Sequence, residues 1–431
     1  MYDSQARVNY LIVFRTSPDV DHMAPLAWKL LEEGETVHGV MSAGYDVAGD
    51  HRLALLRRHT RFRLHELRPS GASRANRIAG RARATLPYAL WMLRRHRVRL
   101  VAVEWGYGLP AGYDRLRTPA GAAVVLRSLG ASLLRGDAPQ QPRASFIYAA
   151  RLLQIPVVCL PHGLSVKLDP IPNEEVAALV ASGELDFSNR NRFAAYVLNT
   201  EHHRRIHLDL ARGDPEVIQT WGSLRWAPDW FELNRRHAPP FQWPGDAGDR
   251  VRVVFMVPKW RNRVDAPATV ELVRRIQAIE GVSMAVMGHP RSAGGADSDP
   301  LRADSGIDWQ RIHDLTGLNS VSVIREADVV VDVGSSIGLE VVLQGKVLLN
   351  PEYLHEIETL FDTISGAVVI ANCADEVVAY LQSHVAGEPH VVSGAAREEL
   401  LREAVYGSHE PYDIPALYYE RVSELAAGGR R

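Results

Sequence analysis

Cysteine is scarce in this chain. Cys159 and Cys373 stand far apart in apolar surroundings, which indicates neither a disulfide framework nor a metal cluster and fits a reducing compartment. No window approaches the roughly 18 uncharged apolar residues that a membrane-crossing helix needs. The apolar run near the start, Tyr10–Phe14 (YLIVF), is too short for a signal peptide. Internal repeats and low-complexity tracts are missing, as is an acidic DxD pair in a metal-binding context. The expectations are a cytoplasmic protein and a metal-independent site, with no cofactor apart from its substrate.

What is present is a long, ordinary globular composition. The 431 residues are 46% hydrophobic and 23% charged, too many for one core and suited to two domains of roughly 150–230 residues. Short apolar runs (Tyr10–Phe14, Thr36–Met41, Val98–Glu104, Pro156–Leu160, Ala195–Leu198) read as buried strands. Amphipathic segments such as Met23–Glu33 lie between them, the βαβ rhythm of a parallel sheet covered on both faces. His237–Asp249 (HAPPFQWPGDAGD) breaks the rhythm as a Pro/Gly linker. A second alternation follows: strand Val251–Val257, helix Ala268–Ile279, strand Ser283–Met287, a helix near Asp308–Leu315, then strands Ser320–Ile324, Val329–Val333, Val347–Leu349 and Ala367–Ile370. The expected architecture is α/β, with two doubly wound Rossmann-type domains, residues 1–236 and 251–431, facing a central cleft and joined by a linker at 237–250.

The net charge of −2 hides a strong asymmetry. Between His51 and Leu100 fourteen arginines face one acid, Glu66, with Phe62, Tyr88, Trp91 and Met92 interleaved. A solvated helical face accounts for such a pattern. So does attraction to a polyanion, and an anionic membrane surface fits residues 51–100 better than nucleic acid, since no nucleic-acid recognition motif accompanies the charge.

Three stretches carry chemistry. In Ala327–Lys346 (ADVVVDVGSSIGLEVVLQGK) an apolar strand runs into Gly-Ser-Ser and a helix. Such a turn offers N–H groups and hydroxyls at the positive end of a helix, suited to phosphate. Ser335 and Ser336 are the candidate ligands, and Glu340, one helical turn on, is placed for ribose hydroxyls. About 45 residues earlier His289-Pro290-Arg291 leaves a strand, at the sheet edge where α/β ligands bind. His289 and Arg291 would grip the same phosphates. Arg225, Lys259 and Arg261 would add positive charge. For transfer to a hydroxyl, a general base is needed. His162 and Glu104 end first-domain strands, and Asp19 and Asp21 sit in the first strand's loop; helix capping explains Asp21 equally well.

The HP motif followed by AD-V-V-V-x-x-G-S-S-x-x-x-E and G-K resembles the nucleotide-binding domain of GT-B glycosyltransferases. It is most similar to the group using cytidine-activated donors: CDP-glycerol glycerophosphotransferases, bacterial sialyl- and polysialyltransferases, and capsule Kdo transferases. Ile155–Lys167 (IPVVCLPHGLSVK) resembles their strand ending in His-Gly, and Val217–Glu232 (VIQTWGSLRWAPDWFE) the segment closing their first domain. The likeness covers roughly 152–361, about half the chain. It implies transfer of a sugar or polyol phosphate from a nucleotide-activated donor, CMP- or CDP-linked, to a cell-surface glycan or lipid-linked acceptor. The chain departs from the pattern at Pro161, where the glycerophosphotransferases carry Trp, and at Glu104-Trp105-Gly106, which keeps one acid of a pair. A UDP-N-acetylglucosamine 2-epimerase-like isomerase is the alternative, since those enzymes also show a G-H-P stretch and a serine turn; Gly222-Ser223-Leu224-Arg225 stands where they usually carry a T-G-N-like turn. A non-catalytic member of a polysaccharide assembly complex is a third reading, against which His289, Ser335, Ser336 and Glu340 speak.

Overall fold

The computed structural model describes residues 7–41, 45–67, 83, 85–104, 141–161, 166–169, 174–182, 188–210, 212–245, 248–260, 262–288, 299–364, 366–388 and 392–428. They divide into two compact units, cut between His237 and Ala238.

The first unit is a parallel sheet built from β1 (Asn9–Phe14), β2 (Thr36–Met41), β3 (Phe62–Glu66), β4 (Val98–Glu104), β5 (Val157–Leu160), β6 (Ala195–Leu198) and β7 (Ile218–Thr220). Its order is β3-β2-β1-β4-β5-β6-β7. Near-continuous runs such as Leu11–Phe14 are buried on both faces, which is why they do not alternate. The helices Leu86–Arg95 and Gln141–Leu152 cover one face; Met92, Leu93, Phe146 and Ile147 share a core cluster with Val40, Val101 and Val103.

The second unit holds β8 (Val251–Met256), β9 (Val282–Met287), β10 (Ile312–Asp314), β11 (Val329–Asp332), β12 (Val347–Pro351) and β13 (Val369–Ala371), in the order β10-β9-β8-β11-β12-β13. In each sheet the strand order reverses at one place: between β1 and β4 in the first, between β8 and β11 in the second. Crevices outside the carboxyl ends of strands at such reversals are where α/β proteins bind ligands.

Several sequence expectations need correction. Residues 308–315 are not a helix: Asp308 accepts from Gln310 N and Asp314 from Thr316 N, and between these two turns Ile312–Asp314 pairs with β9. Ser320–Ile324 is not a strand but the start of the helix Ser320–Glu326, whose N-cap Asn319 accepts from Ser322 N at 3.1 Å. The V-S-V-I alternation imitates a strand because all four residues, Val321 to Ile324, are buried. The linker is not a free spacer, since Trp243 Nε1 donates to Ser283 Oγ at 2.8 Å and Ser322 Oγ donates to the Pro239 carbonyl. The C-terminal helix Ile414–Gly428 groups with the first unit rather than the second. There Tyr418 is fully buried, donates to the Gly222 carbonyl at 2.9 Å and packs edge-on against Trp221. Amphipathic spacing could not reveal which core that helix would join. The described residues between 166 and 182 group with the second unit. No helix among the described residues is long and apolar enough to cross a membrane.

The basic stretch is also less uniform than its composition. Arg52 is 8% exposed and ion-paired with Asp21 and Asp50, so it is no surface cation. Phe62 is buried in β3, and Tyr88 packs against the core. Trp91, 55% exposed, is the aromatic left at the surface among these three.

Candidate functional site

In the first unit the reversal point is closed by an arginine. Arg15 leaves β1, its backbone N donates to Asp19 Oδ2 at 2.7 Å, its Nε reaches the same atom at 2.9 Å, and Nη2 pairs with Glu104, the last residue of β4. Glu104 is 1% exposed. The pair ties the ends of the two central strands together. A second network lies in the same unit. Asp50 accepts from Arg52 N and Leu53 N, capping the helix His51–Leu56, while its carboxylate also grips the Arg52 guanidinium. Asp21 completes it, pairing with Arg52 and with Arg225 Nη2 at 3.0 Å. Burial pushes the Asp21 carboxyl up, but Arg225 and Arg52 outweigh it and bring it down to about 2. A carboxylate held so acidic is a poor proton acceptor, so the geometry speaks against Asp21 as base. Arg225, expected to add positive charge near phosphates, pairs here with Asp21. His162 lies outside the described residues.

In the second unit β11 ends in Asp332, and Gly334 turns the chain with φ +61°. Only a residue without Cβ adopts this easily, and a Cβ there would come within 3.0 Å of His355 Nε2. Asp332 is 1% exposed and accepts from Ser335 N at 2.8 Å and Ser335 Oγ at 2.7 Å. Burial raises its carboxyl to about 7, against the lowering effect of the Ser335 hydrogen bonds and the Lys167 charge. Ser335 is therefore committed inward. Among the described residues no hydrogen bond engages the Ser336 hydroxyl, and it is half-buried on the same turn.

Lys167 comes to this turn through backbone pairing. It bridges Thr359, Leu168 N donates to the Glu358 carbonyl at 2.9 Å, and Leu360 N to the Val166 carbonyl at 2.7 Å. Asp362 accepts from Thr359 N and Oγ1 and from Asn350 Nδ2. Burial pushes the His355 imidazole below its ordinary value, with Asp362 opposing. Glu340, expected to face ribose, is 3% exposed and accepts from Ser320 Oγ at 2.8 Å. Lys259 is exposed beyond the end of β8. His289 and Arg291 lie outside the described residues, as does Arg261; β9, which runs toward His289, flanks β8 opposite β11.

Sequence reasoning missed Asp332, Lys167 and His355 as members of this group. An acid closing the run Val329-Val330-Val331 was the available signal for Asp332. Nothing local marked the other two, because a pairing 192 residues apart, Lys167 with Thr359, brings one of them in.

Two Rossmann-like α/β domains, each with a parallel sheet reversing once, define the GT-B architecture. No protein-family model matches the chain, and no curated protein matches its sequence. Solved structures do resemble it. One is a Listeria monocytogenes protein assigned as a UDP-N-acetylglucosamine 2-epimerase, 14% identical, covering 99% of this chain and 98% of that one with a TM-score of 0.56. Another is Anabaena HepE in complex with UDP and glucose, 11% identical over 97% and 100%, TM-score 0.54. A third is the Methanocaldococcus jannaschii UDP-GlcNAc 2-epimerase with UDP-GlcNAc and UDP, 12% identical over 97% and 99%, TM-score 0.52. At such identities the likeness shows the fold.

Proposed function

We propose that the protein is a glycosyltransferase-type enzyme that uses a donor activated by a pyrimidine nucleotide, with the phosphates held by the second unit. The turn after β11 carries the reading. It lies at the sheet's reversal point, where Asp332 fixes the loop and leaves the Ser336 hydroxyl uncommitted, with Lys167 supplying positive charge. The motif resemblance favours a CMP or CDP donor, while HepE and the Methanocaldococcus epimerase carry UDP; a pyrimidine ring is common to both. His289 and Arg291 would complete the phosphate grip, and no metal is required where cations and N–H dipoles face the leaving phosphate. His162 is the favoured base, since Glu104 is engaged by Arg15. The acceptor is a glycan or lipid-linked glycan. The exposed arginines, among them Arg58, Arg63, Arg94 and Arg95, would draw the protein to an anionic membrane carrying it.

The second reading, C2 epimerisation of a UDP-sugar, is favoured by the fold likeness to the epimerases. NMR of the protein incubated with UDP-GlcNAc, CMP-sugars and CDP-glycerol separates the two. Nucleotide release, accelerated by a glycan acceptor and without C2 inversion, supports transfer. Inversion at C2 of UDP-GlcNAc overturns transfer in favour of epimerisation.

A further inference from the structure

Three histidines far apart in sequence meet beneath the end of a helix in the first unit. His38 lies on β2, His65 on β3, and His96 follows Arg95 at the C-terminus of Leu86–Arg95. The strand register pairs His38 with Arg63 and Val40 with His65, so His38 and His65 stand on the same face of the sheet, diagonally adjacent. Met92 and Leu93 pack on that face beside Val40, which brings the helix end over the two strands. His96 N donates to the Met92 carbonyl at 3.0 Å, and Arg97 turns left-handed at φ 49°, ending the helix there.

The result is compact. His38 Nδ1 and His65 Nε2 are 3.1 Å apart, the His38 and His96 ring centroids 4.2 Å apart, and one ring nitrogen from each residue lies within 4.8 Å of the other two. Three imidazoles around one point are the donor set of zinc and its borderline neighbours. Bonds of about 2.0–2.1 Å in a tetrahedron put ligand nitrogens about 3.3 Å apart, close to the His38–His65 spacing and within reach of small ring rotations for His96. His38 is 2% exposed, while His65 and His96 are half-buried, leaving a side from which a water could fill the fourth position.

We propose that His38, His65 and His96 form a binding site for a divalent transition metal of the zinc class, separate from the turn after β11. The metal would staple the end of Leu86–Arg95 to β2 and to β3, the outermost strand of the described sheet. The trio lies over β2 and β3 on the face covered by the helix Leu86–Arg95, on different strands from the Arg15–Glu104 pair that joins β1 to β4, so the metal's role is structural. Arg63 and Arg95 act electrostatically on the trio, and Arg94 and Arg97 stand near His96 in sequence. All four are exposed, so solvent and salt screen their repulsion of a dication. No histidine spacing in the sequence announces the site, because the sheet register and the helix end assemble it.

The test uses the full chain stripped by a chelator and titrated with Zn²⁺ by calorimetry, with Co²⁺ as a spectroscopic probe. The site predicts one Zn²⁺ per chain at micromolar affinity or tighter, a melting temperature raised by several degrees, and visible Co²⁺ bands of a tetrahedral centre. His65→Gln and His96→Gln, both at half-buried positions, should each weaken binding about tenfold or more and abolish those bands. Absence of stoichiometric Zn²⁺, or binding undiminished in both variants, would overturn it in favour of a hydrogen-bonded, stacked histidine cluster.

Discussion

Ser335 donates twice to Asp332, its backbone N–H at 2.8 Å and its hydroxyl at 2.7 Å. The two adjacent serines of the turn therefore do different things. Ser335 holds the loop, while among the described residues the Ser336 hydroxyl is engaged by no hydrogen bond, which is what the proposed phosphate contact requires. Ser335→Ala should cost about 1–3 kcal/mol of stability, because a buried carboxyl loses a donor. Ser336→Ala should leave stability within about 0.5 kcal/mol and weaken nucleotide binding about tenfold. Urea unfolding and calorimetry on both variants check the separation, and identical effects in the two assays would contradict it.

Asp332 also links stability to pH. Its folded-state value of about 7 lies above the ordinary 3.8, so the folded state holds its proton more tightly than the unfolded chain. The favourable contribution is complete below about pH 3.8, declines as pH rises to about 7, and is gone above. Asp332→Asn removes this dependence. Relative to the variant, the wild type should lose about 2–4 kcal/mol between pH 4 and pH 7.5. Urea unfolding at several pH values measures it, and parallel curves would contradict the burial argument.

Both sheets were legible in the sequence because strands buried on both faces are uninterrupted apolar runs, as in Val98–Glu104 and Val251–Met256. The same burial misled at Val321–Ile324, where a fully covered helix has no polar face to show its period. At the candidate site the Gly-Ser-Ser turn was legible as a local pattern, but the bonding of Ser335 to Asp332 was not. Lys167, His355 and the histidine trio were not, since long-range pairing and helix placement bring them together. Asp21 and Arg225 were visible as charges, but their mutual pairing depends on the fold.

Asp21 is a tie between two guanidinium groups. Asp21→Ala should destabilise the protein by about 3 kcal/mol, because it strips a partner from the nearly buried Arg52. Asp21→Asn should fall between the two. Denaturant unfolding tests this; a variant of unchanged stability that had lost turnover would return Asp21 to the catalytic candidates.

The exposed arginines should confer binding to anionic vesicles but not to neutral ones, weakened as salt rises. Arg94→Glu with Arg95→Glu, both at exposed positions, should reduce it by about 1 kcal/mol per charge or more. Co-sedimentation reads the effect, and indifference to vesicle charge at low salt would leave the stretch as a solvated face.

The central claim is that the second unit holds the phosphates of a pyrimidine nucleotide. Calorimetry of the wild type and Ser336→Ala with CMP, CDP, UDP and GDP tests it most directly. The account predicts that at least one pyrimidine nucleotide binds about tenfold or more tightly than GDP, and that Ser336→Ala removes about that much affinity. Equal binding of all four nucleotides, no binding at millimolar concentration, or affinity untouched by Ser336→Ala would contradict it.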